Sequence, residues 1–361
     1  MNETARFREP FSASYPYRLE QHEETRRCLD RRDDGRLARP DIDRLLSALR
    51  HVKADRVPNF DVWFNPAVIS HVVGEPTTQN FWELPPREAI RFAQAAGQDA
   101  IVCSLTWSPP AGSIRTMDDA RRLCPPDPLA ARAKLETYLR AAEGTGVGVC
   151  ARLSCPFSLA YNSTGPVPIQ SFMYLLYDDP ELIAYLMDLY LEVHLGIYRA
   201  IADLPYHFTY LGDDIASTQG LLVSPQTMAD IWEKRTEGIV REGLIGGRPM
   251  IFHCCGKQEF LYPYLVEWGV HAVHPIQPVA NDIYDVHRRW GDRLTLVGNI
   301  DVSGPLSFGG PAEVRAEVGE HIERLSQDGG YVVCSSHSII ESVIPENYEA
   351  MVTATREFGA N

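Results

Sequence analysis

Residues 248–257 read Arg-Pro-Met-Ile-Phe-His-Cys-Cys-Gly-Lys, and this stretch joins a predicted strand to a predicted site. Its apolar half predicts a short buried strand. The strand ends in His253, Cys254 and Cys255, and Gly256 then lets the chain turn away. Imidazole and thiolate are common zinc ligands in proteins. We therefore expect His253 and Cys255 to hold a zinc ion together with a residue from elsewhere; the alternative is that they only pack a strand end.

The same theme recurs along the chain, as a short apolar run, a loop and a longer amphipathic segment. The runs lie at 57–64, 99–105, 147–153, 207–211, 248–252, 272–275, 294–297 and 330–334. Several of the intervening segments begin with Pro and stop at Gly, as helices tend to. Strands and helices alternating in this number are typical of a (β/α)8 TIM barrel of the α/β class. A doubly wound open sheet competes, but no glycine-rich dinucleotide fingerprint follows the first run.

The domain organisation is predicted to be simple. Residues 1–40 are rich in Arg, Asp and Glu without a sustained apolar period, which predicts an N-terminal arm. Asp41 then caps a helix, and residues 41–361 are expected to form a single barrel domain. The Pro- and Gly-containing segment after 147–153 predicts a long loop over the C-terminal face of the barrel.

Composition limits the classes of function. A net charge of −14 argues against nucleic acid as a partner, because such binding depends on neutralising phosphates. No apolar run reaches the roughly 20 residues of a transmembrane helix, and the N-terminus lacks an apolar signal region. Eight scattered cysteines without a secretory signal are typical of the reducing cytoplasm. The sequence is compatible with a homodimer and does not determine the oligomeric state.

Polar and aromatic residues gather where the predicted strands end, which in a barrel is the functional face. Asp213 and Asp214 are candidate catalytic groups for proton transfer; the alternative is that they cap a turn or form ion pairs. The candidate substrate contacts are Trp63, Trp107, His274, Gln277 and Asn299. The aromatic members of this set could instead belong to the core, and the polar members could orient loops.

Several motifs together resemble the uroporphyrinogen decarboxylase superfamily, and its cobalamin-dependent methyltransferase branch most closely. They are the His-x-Cys-Gly element at 253–256, Gly-Asp-Asp at 212–214, His-Pro-Ile-Gln-Pro at 274–278, Gly-Asn-Ile-Asp at 298–301, and the segment from Gly-Gly-Tyr at 329–331 to Pro-Glu-Asn-Tyr at 345–348. The resemblance covers about residues 41–358 and implies a (β/α)8 fold. In that branch it also implies zinc, held by the His-x-Cys pair and a cysteine after the last strand.

The third zinc ligand departs from the family pattern. Spacing back from residues 345–347 places His337, not a cysteine, at that position, and Cys334 lies three residues earlier. Three sites therefore remain open: one with His253, Cys255 and His337, one with Cys334 in place of His337, and a degenerate site that binds no metal.

The function that the resemblance implies is zinc-dependent methyl transfer between a small-molecule heteroatom, of an ether, amine or thiol, and a corrinoid. Nothing in the chain resembles a corrinoid-binding domain, so cobalamin would be supplied from outside, free or on a separate corrinoid protein. The decarboxylase branch is marked by paired arginines after the first strand and an aspartate after the second, and this chain has neither. The alternatives are decarboxylation of a smaller acid and a catalytically idle barrel that binds a corrinoid protein.

Overall fold

Seven parallel strands form the centre of the computed structural model, which describes residues 39–360. Their order in the sheet follows the chain. The strands are β1 (Ala100–Ser104), β2 (Gly148–Ser154), β3 (Phe208–Gly212), β6 (Met250–His253), β7 (Ala272–His274), β8 (Thr295–Val297) and β9 (Tyr331–Val332), and the short antiparallel pair β4 (Ala216–Ser217) and β5 (Gly220–Leu221) lies outside this sheet. Each of the seven lies within or overlaps a predicted run, so the predicted TIM-barrel architecture is confirmed. All but the last two residues of the predicted arm, 1–40, lie outside the described residues.

An irregular segment closes the ring between β9 and β1. The amide of Val333 donates to the carbonyl of Pro58 (3.0 Å), and the amide of Phe60 donates to the carbonyl of Val333 (3.1 Å). On the other side, the amide of Asp99 donates to the carbonyl of Asn59 (3.0 Å). Proline has no amide hydrogen to give to a ladder, which accounts for the irregularity. The run predicted at 57–64 thus occupies the position of a strand without forming a regular one.

Helices surround the sheet and follow the strands in alternation. They are α1 (Ile42–Ala48), α2 (Pro66–Val73), α3 (Pro86–Ala96), α4 (Met117–Arg121), α5 (Pro128–Ala142), α6 (Pro156–Ser163), α7 (Pro168–Asp178), α8 (Pro180–Ile201), α9 (Pro225–Met228), α10 (Lys234–Leu244), α11 (Tyr262–Trp268), α12 (Ile283–Trp290), α13 (Pro305–Phe308), α14 (Pro311–Leu325) and α15 (Pro345–Phe358). A π-helical turn, Ala229–Glu233, joins α9 to α10. The segment predicted as a long loop after β2 contains two of these helices, α6 and α7.

The interior of the barrel is a core of its own, and helix α1 closes its lower end. Leu45, Ala48 and Leu49 pack against inward-facing side chains such as those of Phe60 and Phe208. Arg44 of α1 also pairs with Asp99 just below β1, at 2.6 Å. The amino-terminal end of the barrel is therefore sealed, and the carboxyl ends of the strands are the side on which a site can open.

Among the helices of residues 39–360, none has both the length and the apolar character needed to cross a bilayer.

Candidate metal centre

Three neighbouring strands end at the same level, and this brings the candidate ligands together. Gly212 of β3 is paired with His253 of β6, and His253 is paired with His274 of β7. The residues that follow each strand therefore meet above the barrel. A Cβ at Gly212 would stand 3.6–3.9 Å from the His253 side chain, an ordinary van der Waals distance, so the end of β3 lies directly beside the imidazole.

Asp214, His253 and Cys255 form a compact group of potential ligands. His253 Nε2 lies 3.4 Å from Cys255 Sγ and 3.2 Å from Asp214 Oδ1, and the three ligand atoms all lie within 4.8 Å of one another. The side chains of His253 and Asp214 are 16% and 36% exposed, so a ligand can reach the group from solvent. One nitrogen, one sulfur and one carboxylate oxygen match the donor set of a catalytic zinc site, which keeps a position open for substrate.

The electrostatics of the group keep the carboxylate of Asp214 ionised. Burial opposes ionisation of Asp214, but the neighbouring His253 and hydrogen bonds from His253 and Cys255 hold its pKa well below the ordinary value. Burial and the charge of Asp214 raise the pKa of the Cys255 thiol. A bound metal reverses that effect, because coordination deprotonates a thiol.

A second layer of side chains orients His253. Its Nδ1 lies 2.8 Å from Nδ1 of His274, which in turn lies 3.0 Å from the hydroxyl of Tyr210. Burial and the neighbouring His253 and His337 lower the pKa of His274 well below its ordinary value, so this imidazole stays neutral. An uncharged partner on Nδ1 leaves Nε2 of His253 directed toward Cys255 and Asp214, as in protein metal sites where an outer residue fixes the ligand ring.

The two predicted alternatives for the third ligand do not join this group. Cys334 is buried in the barrel interior, and its thiol donates to Asp61 Oδ1 at 3.3 Å. His337 is half-buried above β9 and influences the pKa of His274, but among residues 39–360 its ligand atoms do not fall within the group of three. Asp214, predicted as a proton-transfer residue, is instead the third member of the group.

Asp213 has a different environment from its neighbour. It is 1% exposed, and its Oδ1 accepts hydrogen bonds from the amide and the hydroxyl of Ser158 at 2.9 and 2.7 Å. Its Oδ2 accepts one from Nε1 of Trp232 at 2.6 Å. Burial raises its pKa to about 7 against these three hydrogen bonds. Asp213 thus ties the end of β3 to helix α6 and to the π-helical turn.

The predicted polar substrate contacts hold the loops around the site. Gln277 Oε1 accepts a hydrogen bond from the amide of Gly256 at 2.7 Å. Asn299 is 2% exposed; its Nδ2 donates to the carbonyl of Ile276 at 2.5 Å, and His321 Nε2 lies 2.8 Å from its Oδ1. Gly256 has φ = +80°, and a Cβ there would clash with the carbonyl of residue 217 at 2.4 Å, so only glycine fits after the ligand segment.

The predicted aromatic contacts border the mouth of the barrel. Trp63 and Trp107 are partly buried and pack against the main core. The amide of Trp107 donates to Nε2 of the buried His194 at 3.3 Å. These contacts are compatible with both predicted roles of the two tryptophans, as part of the core and as side chains that contact substrate.

Arg152 is a further side chain at the mouth that the sequence motifs do not single out. Its Nη1 donates to the hydroxyls of Ser104 and Thr106 at 3.1 and 3.4 Å, and its guanidinium stacks 4.5 Å from the ring centre of Trp82. The signal in the sequence is a lone charge in an otherwise apolar strand, two residues after the inward-facing Cys150.

Comparison with known proteins agrees with the fold and the motifs. The model of the uroporphyrinogen decarboxylase (URO-D) family matches residues 92–358. The uroporphyrinogen decarboxylase of Hydrogenovibrio crunogenus is 24% identical over 255 residues, covering 68% of this chain and 69% of that protein. That of Methylococcus capsulatus is 26% identical over 259 residues, covering 68% and 70%. A solved methyltransferase from Methanosarcina mazei shares the fold with a TM-score of 0.66 at 20% identity, over 88% of this chain and 99% of that one. This chain belongs to the uroporphyrinogen decarboxylase family.

Proposed function

We propose that this protein is a zinc-dependent methyltransferase that moves a methyl group between the heteroatom of a small molecule and a corrinoid. The observation that carries the proposal is the group of Asp214, His253 and Cys255, whose ligand atoms lie within 4.8 Å of one another at the open end of the barrel. Further support comes from the family motifs and from the likeness in fold to a methyltransferase.

Zinc fits these residues because sulfur, nitrogen and oxygen donors are all present and two of the three donors are anionic when the metal is bound. When bound, zinc supplies a Lewis acid that polarises a methyl-bearing heteroatom or lowers the pKa of a thiol. His253, Cys255 and Asp214 would hold it, and a fourth position would remain for the heteroatom of the substrate.

The chain's own residues would set up this chemistry before substrate arrives. With Nε2 of His253 used as a ligand, the ring proton resides on Nδ1 and donates to Nδ1 of His274, 2.8 Å away. The amide of Cys255 donates to Asp214 Oδ1 at 2.9 Å and fixes the carboxylate beside the thiol. Asp213 would act one step behind, by holding the end of β3 in place.

The corrinoid is the second substrate and would come from outside the chain, as free cobalamin or on a separate corrinoid protein. We assign no residue to it. The proposed methyl donors are ethers, amines and thioethers in one direction, and the acceptor is a thiol in the other.

The test is a spectroscopic assay with zinc-loaded protein and chemically reduced cobalamin. A panel of methyl ethers, methylamines and methyl thioethers is expected to yield the absorption spectrum of methylcobalamin, and methylcobalamin with thiols is expected to lose it. Cys255→Ala should abolish both reactions and lower the zinc content. Cys124→Ala, at an exposed cysteine outside the group, should change neither.

Two outcomes would contradict the proposal. Release of carbon dioxide from small acids without any methylcobalamin would indicate a decarboxylase, as the names of the relatives suggest. Tight binding of a corrinoid protein without either reaction would indicate an idle binding partner.

A further inference from the structure

We propose that the small-molecule substrate carries a carboxylate and that Arg152 binds it at the mouth of the barrel. The inference rests on the proposed function in one respect, since the molecule that Arg152 binds is taken to be the one that reaches the metal group. It adds the chemical class of that molecule and a binding residue that the catalytic chemistry does not require.

The alternation of side chains along β2 places Arg152 inside the barrel. Cys150 belongs to the interior core, whereas Val149, Ala151 and Leu153 belong to the core between sheet and helices. Successive side chains on a strand point to opposite faces, so Arg152 lies on the same face as Cys150. It stands one level above Cys150, at the open end of the strand.

The contacts of the guanidinium leave one edge of it available. Nη1 is taken by the hydroxyls of Ser104 and Thr106, and the flat face is covered by Trp82. Nε and Nη2 have no partner among residues 39–360, and neither is shut away from solvent, in contrast to Nε of Arg356. The Nε and Nη2 hydrogens point in parallel, and this edge of arginine matches the two oxygens of a carboxylate.

Arg152 forms no direct ion pair in the described part of the chain, and Asp214 acts on its charge only from a distance. Arg44 and Arg56, which are fully buried, both pair with Asp99. Arg152 forms no such ion pair within residues 39–360, although burial lowers its pKa and thus opposes its charge. Two neutral hydroxyls and an aromatic face hold this partly desolvated guanidinium in place. It is therefore suited to bind an anion from outside the protein.

The position of Arg152 relative to the metal group sets the size of the ligand. Arg152 is the strand neighbour of Tyr210, whose ring lies 5.7 Å from that of His253. The strands β2 and β6 are separated by β3 alone, which corresponds to about 10 Å. Arg152 and Asp214 are also close enough for their charges to interact. A molecule of the size of a substituted benzoate or a short aliphatic acid spans this distance, with its carboxylate at Arg152 and its heteroatom at the group of Asp214, His253 and Cys255.

The test is direct binding to zinc-loaded protein by isothermal titration calorimetry, in the absence of any corrinoid. The probes are methoxybenzoates, methoxyacetate and unmethylated short acids, each beside its neutral amide and its sulfonate and phosphate counterparts. Wild-type protein should bind at least one carboxylate about 10- to 100-fold more tightly than its amide, as expected for a charged hydrogen-bonded pair. Arg152→Gln and Arg152→Lys should lose this preference, because the first removes the charge and the second removes the two-pronged edge.

A matched control and the folding state keep the result interpretable. Arg140→Gln, at an arginine with 66% side-chain exposure on α5, should retain the preference. Zinc content and melting temperature of the Arg152 variants should stay at the wild-type values, which excludes a collapse of the site. The inference is overturned if no carboxylate binds in an Arg152-dependent way, or if sulfonates or phosphates bind more tightly than carboxylates. The calorimetric test does not measure methyl transfer, so its outcome is separate from that of the spectroscopic assay. If carboxylates bind in an Arg152-dependent way but the spectroscopic assay yields no methylcobalamin, the proposed function is rejected and the carboxylate site stands.

Discussion

Asp214→Asn is the substitution that tests the metal centre most directly. Asparagine has almost the same volume and keeps the oxygen that accepts the amide hydrogen of Cys255, so the loop geometry should survive. The substitution removes the negative charge that lies 3.2 Å from His253 Nε2. One anionic member of the group of three is thereby lost, and if Asp214 is a ligand as proposed, zinc affinity should fall.

The size of the effect follows from the proposed loss of a direct ligand. Loss of a residue that only supports a ligand weakens zinc by about 10- to 100-fold, so loss of a direct ligand should cost at least about 100-fold, or about 2.8 kcal/mol. At free zinc 100 times above the wild-type Kd, zinc should stabilise wild-type protein by about 2.7 kcal/mol. A variant with a 100-fold larger Kd should be stabilised by only about 0.4 kcal/mol under the same conditions.

Two measurements check this expectation. Competition with a chromophoric chelator gives the zinc Kd, and chemical denaturation with and without zinc gives the stabilisation. Cys334→Ala and His337→Gln serve as controls, since neither residue joins the group of three. Wild-type affinity in Asp214→Asn together with weak binding in His337→Gln would refute the assignment of Asp214 and restore His337 as the third ligand.

Three further outcomes are expected. His274→Phe should weaken zinc binding by about 10- to 100-fold in the same competition assay, because His253, the proposed ligand, loses its partner at Nδ1; unchanged affinity would remove His274 from the site. Trp232→Phe should lower the free energy of unfolding by about 1–3 kcal/mol, because Oδ2 of buried Asp213 loses its only hydrogen-bond donor among residues 39–360; Trp290→Phe is the matched control, since its buried Nε1 has no partner among the same residues. Burial raises the pKa of Glu317 from 4.5 to about 7, so the folded state keeps a proton that the unfolded chain has released, and stability falls as pH rises through that window. Glu317→Gln should abolish this dependence and gain on the order of 1–2 kcal/mol over wild type at pH 8 in urea denaturation, after an allowance for solvent screening; parallel pH profiles of the two proteins would contradict it.

The barrel itself could be predicted because short apolar runs alternate regularly with amphipathic segments along the chain. The exceptions have local causes. Pro58 interrupts the first strand, so the segment pairs through scattered hydrogen bonds on either side rather than through a ladder. Pro156 and Pro168 suggested a loop after β2, but each occupies the first turn of a helix, where the missing amide hydrogen costs nothing.

The group of Asp214, His253 and Cys255 could be predicted only in part from the sequence. His253 and Cys255 are neighbours on one segment, so their spacing alone suggests a shared ligand. Asp214 lies some forty residues earlier and meets them only because β3 and β6 are adjacent and end level, a fact of strand pairing that no local pattern records. Arg152 is similar: its importance depends on which face of β2 it occupies and on the absence of a paired carboxylate within the described residues.

The helix α1 beneath the barrel has a kinetic consequence. Leu45, Ala48 and Leu49 close the amino-terminal end of the barrel. Both reactants of the proposed transfer must therefore enter through the carboxyl-terminal end. A corrinoid is far larger than a benzoate, and once it is bound over this opening it blocks the exchange of the small molecule with solvent. Steady-state kinetics should therefore show a compulsory order, with the small molecule entering first and its demethylated form escaping only after the corrinoid has departed.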